Sequence, residues 1–128
     1  EHAGFTTGTP WIDVNPRYPD INVQNTLAED SSIFTHYQQL ISLRKTLEIV
    51  TNGSFKLLLS DHPSIFAYER IDENEKLLVI CNFSEEPQQV EDDYVIAGIQ
   101  KGKLLISNYS SQTKQTLQPY ESSVYYHI

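Results

Sequence analysis

Ile65-Phe66-Ala67-Tyr68-Glu69-Arg70-Ile71, a polar stretch at 72–75, then Lys76-Leu77-Leu78-Val79-Ile80-Cys81-Asn82-Phe83: these two short apolar runs decide the fold class. Both are rich in β-branched and aromatic residues, which suit a pleated, half-buried surface. The same texture recurs on either side. Residues 55–59, 103–109 and 122–128 read as further strands, with weaker candidates at 88–90, 94–99 and 116–118. Turn-forming residues at 61–63, 84–87, 110–114 and 119–121 separate them. Regularly spaced short strands with polar turns predict an antiparallel β-sandwich or barrel.

Upstream of Asn52-Gly53 the pattern changes. Over residues 31–45, Ile33, Tyr37, Leu40 and Ile41 recur at helical spacing, with Phe34 and Leu43 widening the apolar stripe. Asp30, Ser31 or Ser32 can accept from the free N–H groups at the helix start. Arg44 and Lys45 place positive charge at its C-terminal end, where the helix dipole favours it. Residues 1–30 have no sustained period: Gly4, Gly8, Pro10, Pro16 and Pro19 interrupt the backbone, and Phe5, Trp11, Ile12, Tyr18, Ile21 and Val23 are scattered anchors. Such a segment is expected to lie across another surface. The chain is therefore expected to divide into residues 1–47, irregular and helical, and residues 48–128, all β.

The chemistry-bearing residues are sparse. The 128 residues carry 17 Asp plus Glu against 9 Lys plus Arg, a formal net charge of −8, which excludes the basic stripe that nucleic acid needs. No apolar run approaches the length of a bilayer span, so no membrane partner is expected. The opening residues do not read as a leader, and the chain itself is expected to continue upstream. The glycines form no phosphate-cradling fingerprint. His2, His36, His62 and His127 lack metal-ligand spacing and read as isolated surface or turn residues. Cys81, the one cysteine, lies in an apolar run and is expected to be a small buried core residue. Doing without disulfides suits a reducing cytoplasm. Three N-x-Ser triplets, at Asn52, Asn82 and Asn108, read as turn residues. Asp and Glu occur in contexts that look like turns or exposed positions, with none expected at the end of a buried strand, where barrel enzymes place such groups. The facing carboxylate pair of a glycosidase is thus not expected here. Phe55, Phe66, Tyr68, Phe83, Tyr94, Tyr109, Tyr120, Tyr125 and Tyr126 read as core or cross-strand packing. Lined up on one exposed face, they would instead make a carbohydrate-binding module.

One family is recognisable in the residues themselves. His2-Ala3-Gly4-Phe5-Thr6-Thr7-Gly8-Thr9-Pro10-Trp11-Ile12, Val14-Asn15-Pro16, Ile21-Asn22-Val23 and the helix from Asp30 to Lys45 resemble the oligo-1,6-glucosidase branch of the α-amylase superfamily, glycoside hydrolase family 13. That branch includes trehalose-6-phosphate hydrolases and dextran glucosidases. The resemblance continues through Ile65-Phe66-Ala67-Tyr68, Leu77 to Phe83 and Leu117-Gln118-Pro119-Tyr120-Glu121. It implies a mainly β fold: a C-terminal antiparallel β-sandwich preceded by a loop and the last α-helix of a (β/α)8 barrel. It further implies a retaining α-glucosidase parent acting on isomaltose-type α-1,6-linked oligosaccharides, with a trehalose-6-phosphate hydrolase as the close alternative. The family's nucleophile, acid/base and stabilising carboxylates lie on earlier barrel strands. No catalytic, substrate-binding or metal residue is therefore expected within this chain, and no cofactor. The Ala3-Gly4-Phe5 turn lies near the active-site rim in such proteins, with no contact role given to Phe5. The expected partner is the absent barrel, with self-association through the helix face as a consequence of its absence.

Overall fold

The computed structural model describes residues 2–110 and 115–128. Residues 111–114, within the turn expected at 110–114, lie outside the described residues. By contact the chain forms two compact units, Glu1–Gln39 and Leu40–Ile128. No helix among the described residues is long and apolar enough to cross a membrane.

The first unit is mostly irregular, and side chains hold its backbone. A 3-10 turn at His2–Gly4 puts Ala3 and Gly4 at φ 53° and 79°, a region that costs alanine more than glycine. A short helix, α1 (Val23–Leu27), was not legible in the sequence. Asn22 makes it: its Oδ1 accepts from Asn25 N at 2.8 Å, while its amide donates to the carbonyls of Tyr18 and Pro19 at 3.0 and 3.1 Å. A helix set by such local bonds, without an apolar stripe, leaves no period to read. Helix α2 (Ile33–Thr46) forms where expected, and Ser32 is its cap. Ser32 Oγ accepts from Thr35 N at 3.2 Å while Ser32 N donates to Thr35 Oγ1 at 2.9 Å, a reciprocal arrangement in the manner of a capping box.

The second unit follows α3 (Ile49–Asn52) with strands β1 (Ser54–Leu58), β2 (Ile65–Asp72) and β3 (Glu75–Asn82). Then come β4 (Gln88–Gln89), helix α4 (Asp93–Lys101), β5 (Lys103–Ser107), β6 (Thr116–Leu117) and β7 (Ser122–His127). Five strands form one antiparallel sheet in the order β1-β2-β3-β7-β5, and β4 pairs with β6 in a second, two-stranded sheet. The fold is the mainly β, antiparallel sandwich expected, with a small second layer completed by a helix.

Register divides the large sheet's residues between two faces, because alternate side chains point to opposite sides. Ala67 pairs with Ile80, and Glu69 and Tyr125 flank Leu78, on the core face. Ile65, Ala67, Leu78, Ile80 and Tyr125 there pack with Val95 and Ile99 of α4 and with Val90 and Leu117 beside the small sheet. Each large side chain so buried stabilises the unit by about 1.5–3 kcal/mol.

Residues 94–99 are a correction. They are not a strand but the body of α4. Asp92 accepts from Val95 N at 2.9 Å as its N-cap. Val95 and Ile99, one turn apart, supply the two buried contacts. Tyr-Val-Ile-Ala-Gly-Ile carries β-branched residues that favour a strand locally, but burial every fourth residue against the sheet overrides that propensity. Gly98 permits the close approach: a Cβ there would lie 2.9 Å from Leu78 Cδ2. The strand expected at 103–109 ends at Ser107.

Asn82 joins the two layers. Only 2% exposed, it donates from Nδ2 to the carbonyls of Glu86 (2.8 Å) and Gln118 (2.9 Å), and its Oδ1 accepts from Ser84 N and Oγ. Asn108 likewise bridges Tyr120 O and Ser122 N. Cys81 corrects another expectation: it is half-buried rather than core, on the face opposite Ile80, and donates weakly to Ser122 Oγ at 3.4 Å.

If the helical cap of α4 is as described, Asp92→Ala should lower the unfolding free energy by about 1 kcal/mol. A strand at 94–99 would leave urea denaturation unchanged.

Candidate functional site

The face of the large sheet opposite the core is built in two halves. On one half, Leu40 and Leu43 of α2, Leu47 just after it and Val50 of α3 line a narrow cleft over Tyr68, Leu77, Val79 and Val124. Arg70 fixes α3 there, its Nη2 donating to Thr51 O at 3.1 Å and its Nε to Ile49 O at 3.5 Å. Positive charge on the last carbonyls of a helix is favourable.

The other half is bare. Phe55, Tyr68, Phe66 and Phe83 run across it as a continuous chain of rings, with centroid separations of 5.2, 5.6 and 6.4 Å. Phe55, Phe66 and Phe83 are 56, 42 and 68% exposed, and Leu57 beside them 46%. These aromatics are expected as core or cross-strand packing: Tyr125 is core, and Phe55 on β1 meets Tyr68 on β2 across strands, but on an exposed face. The planes tilt by 32°, 52° and 68° along the chain, so the rings form an apolar ridge without a flat platform. Burial, then the neighbouring Cys81, pushes the Tyr68 hydroxyl above its usual range, with Arg70 opposing. Tyr68 stays neutral.

Glu69 overturns the expectation that acidic groups keep to turns and exposed positions, while Glu121 lies in a turn as expected but is buried there. Glu69 of β2 is 5% exposed and Glu121 only 1%. Both are occupied by the protein itself. Glu69 accepts from Tyr94 Oη through both oxygens (2.9 and 2.8 Å) and lies 3.8 Å from Lys56 Nζ. Lys76 Nζ donates to the same Tyr94 hydroxyl at 3.1 Å, and the two lysines sit over the Tyr94 ring at 4.7 and 5.4 Å. Tyr94 is thus clamped by an anion at its hydroxyl and cations at its ring, which pins α4 to the sheet. Glu121 accepts from Gln118 N at 2.7 Å and from Ser123 Oγ at 3.3 Å, closing the turn before β7. Glutamate in an apolar strand, opposite a lysine and near a tyrosine, carries no pattern distinguishing it from an exposed one.

The histidines do not converge. No group of three or more His, Cys, Asp or Glu is placed to hold a metal among the described residues. His62 Nδ1 accepts from Ser64 N and Ile65 N, organising the turn into β2. His127 is held below its ordinary value, first by burial and also by Lys76, against the pull of Glu69. In the first unit, Phe5, Trp11, Ile12, Tyr18 and Ile21 line an open depression, with Phe5 and Trp11 85 and 94% exposed.

Residues 1–53 match the family model described as alpha amylase, catalytic domain, and residues 65–124 match the alpha-amylase SusG C-terminal domain. The chain is 46% identical over 129 aligned residues to an oligo-1,6-glucosidase of Heyndrickxia coagulans, covering 98% of this chain and 22% of that protein. It is 44% identical to a trehalose-6-phosphate hydrolase of Bacillus subtilis, over 98% of this chain and 23% of that one. The crystal structure of Bacillus licheniformis trehalose-6-phosphate hydrolase superposes with a TM-score of 0.82 at 44% identity, again over 98% and 23%. The chain spans under a quarter of the length of these relatives and corresponds to their C-terminal part.

Two outcomes follow. Tyr94→Phe should cost about 1–3 kcal/mol by stranding the buried Glu69 carboxylate, and adding Glu69→Leu should recover part of that in urea denaturation. For His127, a depressed folded value means that protonation favours the unfolded chain. Its contribution is complete above the ordinary value of 6.5 and fades as pH falls below it. Between pH 7.5 and 5.5 (an interval of about two units around that value), the native chain should lose more stability than His127→Gln.

Proposed function

We propose, from the premise that this chain belongs to the oligo-1,6-glucosidase and trehalose-6-phosphate hydrolase branch of the α-amylase superfamily, that it forms the C-terminal end of a retaining α-glucosidase. In that enzyme, residues 1–47 complete the (β/α)8 barrel and residues 48–128 are the sandwich domain that covers and stabilises it. The observation that carries this is similarity of 44–46% identity along nearly the whole chain, to the C-terminal part of enzymes of this kind. The substrates are short α-linked glucosides of the isomaltose type. Two carboxyl groups about 5 Å apart, on barrel strands upstream, act as nucleophile and acid/base.

This chain contributes no catalytic, substrate-binding or metal residue on this reading. Glu69 and Glu121 are structural, since their oxygens accept from Tyr94, Gln118 and Ser123. The parent works in the cytoplasm without a cofactor. Ile33, Tyr37 and Ile41 of α2, 80, 62 and 52% exposed, face the rest of the barrel there; in its absence they are the surface through which two copies associate.

A second reading, trehalose-6-phosphate hydrolysis, is favoured by the equally close likeness to enzymes of that name. The two differ in a phosphate site outside this chain.

The full-length polypeptide should hydrolyse isomaltose, trehalose 6-phosphate or both, whereas residues 1–128 alone should hydrolyse neither. Turnover by the 128-residue chain that disappears with Glu69→Gln or Glu121→Gln would overturn the non-catalytic assignment.

A further inference from the structure

We infer that the exposed ring ridge Phe55–Tyr68–Phe66–Phe83 is the seat of the part of the catalytic barrel that precedes residue 1 in the full-length polypeptide. This rests on the reading just given and adds the surface on which the two parts meet. The argument is continuity of one face. Residues 1–53 are the stretch that matches the catalytic domain. Its last pieces, the C-terminal end of α2 and α3, already lie on this side of the large sheet, over Leu77, Val79 and Val124. Tyr68 belongs to both halves: it lines the cleft beneath α2 and touches Phe55 and Phe66 in the ridge. The bare half is thus the uncovered remainder of a face whose covered half is barrel-derived, and more than three-quarters of the relatives' length lies outside this chain.

Other occupants fit less well. Sugar rings stack on aromatic faces that share a plane, and these planes diverge by 32–68°. Three of the four rings are phenylalanine, without a hydroxyl to read a sugar. Arg70, the cation beside them on β2, is committed to Ile49 O and Thr51 O. A second copy of the short chain is already assigned to another surface, the α2 residues Ile33, Tyr37 and Ile41.

Carbene footprinting read by mass spectrometry, on the 128-residue chain and on the full-length protein, tests this. Phe55, Phe66 and Phe83 should label strongly in the short chain and several-fold less in the full-length one. Phe55→Gln with Phe66→Gln should lower the melting temperature of the full-length protein while leaving that of the short chain unchanged. Equal labelling in both proteins would overturn the inference. So would protection of the short chain by isomaltotriose, which marks a sugar surface, or by raising its own concentration, which marks a dimer. Glucoside hydrolysis measured on the same full-length sample separates the two ideas. Protection without hydrolysis removes the enzymatic reading alone, and hydrolysis without protection removes the docking face alone.

Discussion

The β unit depends on one buried amide. Among the described residues the second layer of its sandwich contributes two short strands, too little backbone pairing to stand alone. Asn82 compensates: from the end of β3 its side chain reaches carbonyls on both sides of the small sheet, Glu86 before β4 and Gln118 after β6, while its own N–H donates to Glu121 O at 2.8 Å. Every hydrogen-bonding valence of that side chain is matched inside the protein, where an unmatched one would be costly. Val90 and Leu117, beside the small sheet, complete the core cluster.

Around that joint the molecule sorts its polar groups by what they fasten. Glu69 fastens α4 through Tyr94, Glu121 fastens the last turn, and Arg70 fastens α3. All three are charged groups at structural work. The two carboxylates buried among the described residues, Glu69 and Glu121, are thereby both taken up by the protein itself.

Much of the architecture was legible because it rests on periodicity. β2 and β7 bury alternate residues, β3 does so from Leu78 to Asn82, and α2 shows its stripe and its serine cap, so composition and spacing located them. The misreadings have a common cause in tertiary context. α4 is nine residues with β-branched composition, and only its packing on Leu78 makes it helical. α1 rests on the side chain of Asn22, which looks like any turn asparagine. Glu69 looks solvent-facing until Tyr94, 25 positions later, is seen against it. The aromatic ridge was readable as a set of residues but not as an exposed one. Alternation places rings on a face without saying whether anything covers that face.

The order of the strands along the chain has a further consequence. β7 is the last strand of this chain, yet it sits between β3 and β5 rather than at an edge. Val124 of β7 also floors the cleft beneath α2. During synthesis, then, α2 emerges roughly 80 residues before the strand that completes its bed, a delay of several seconds at ribosomal speed. Until β7 slots in, β3 and β5 each present an unpaired edge, and Leu40, Leu43 and Leu47 lack part of their floor. A premature stop or frameshift just before Ser122 would remove an interior strand rather than an edge. The nascent chain would then reach the proteases with its sheet split down the middle.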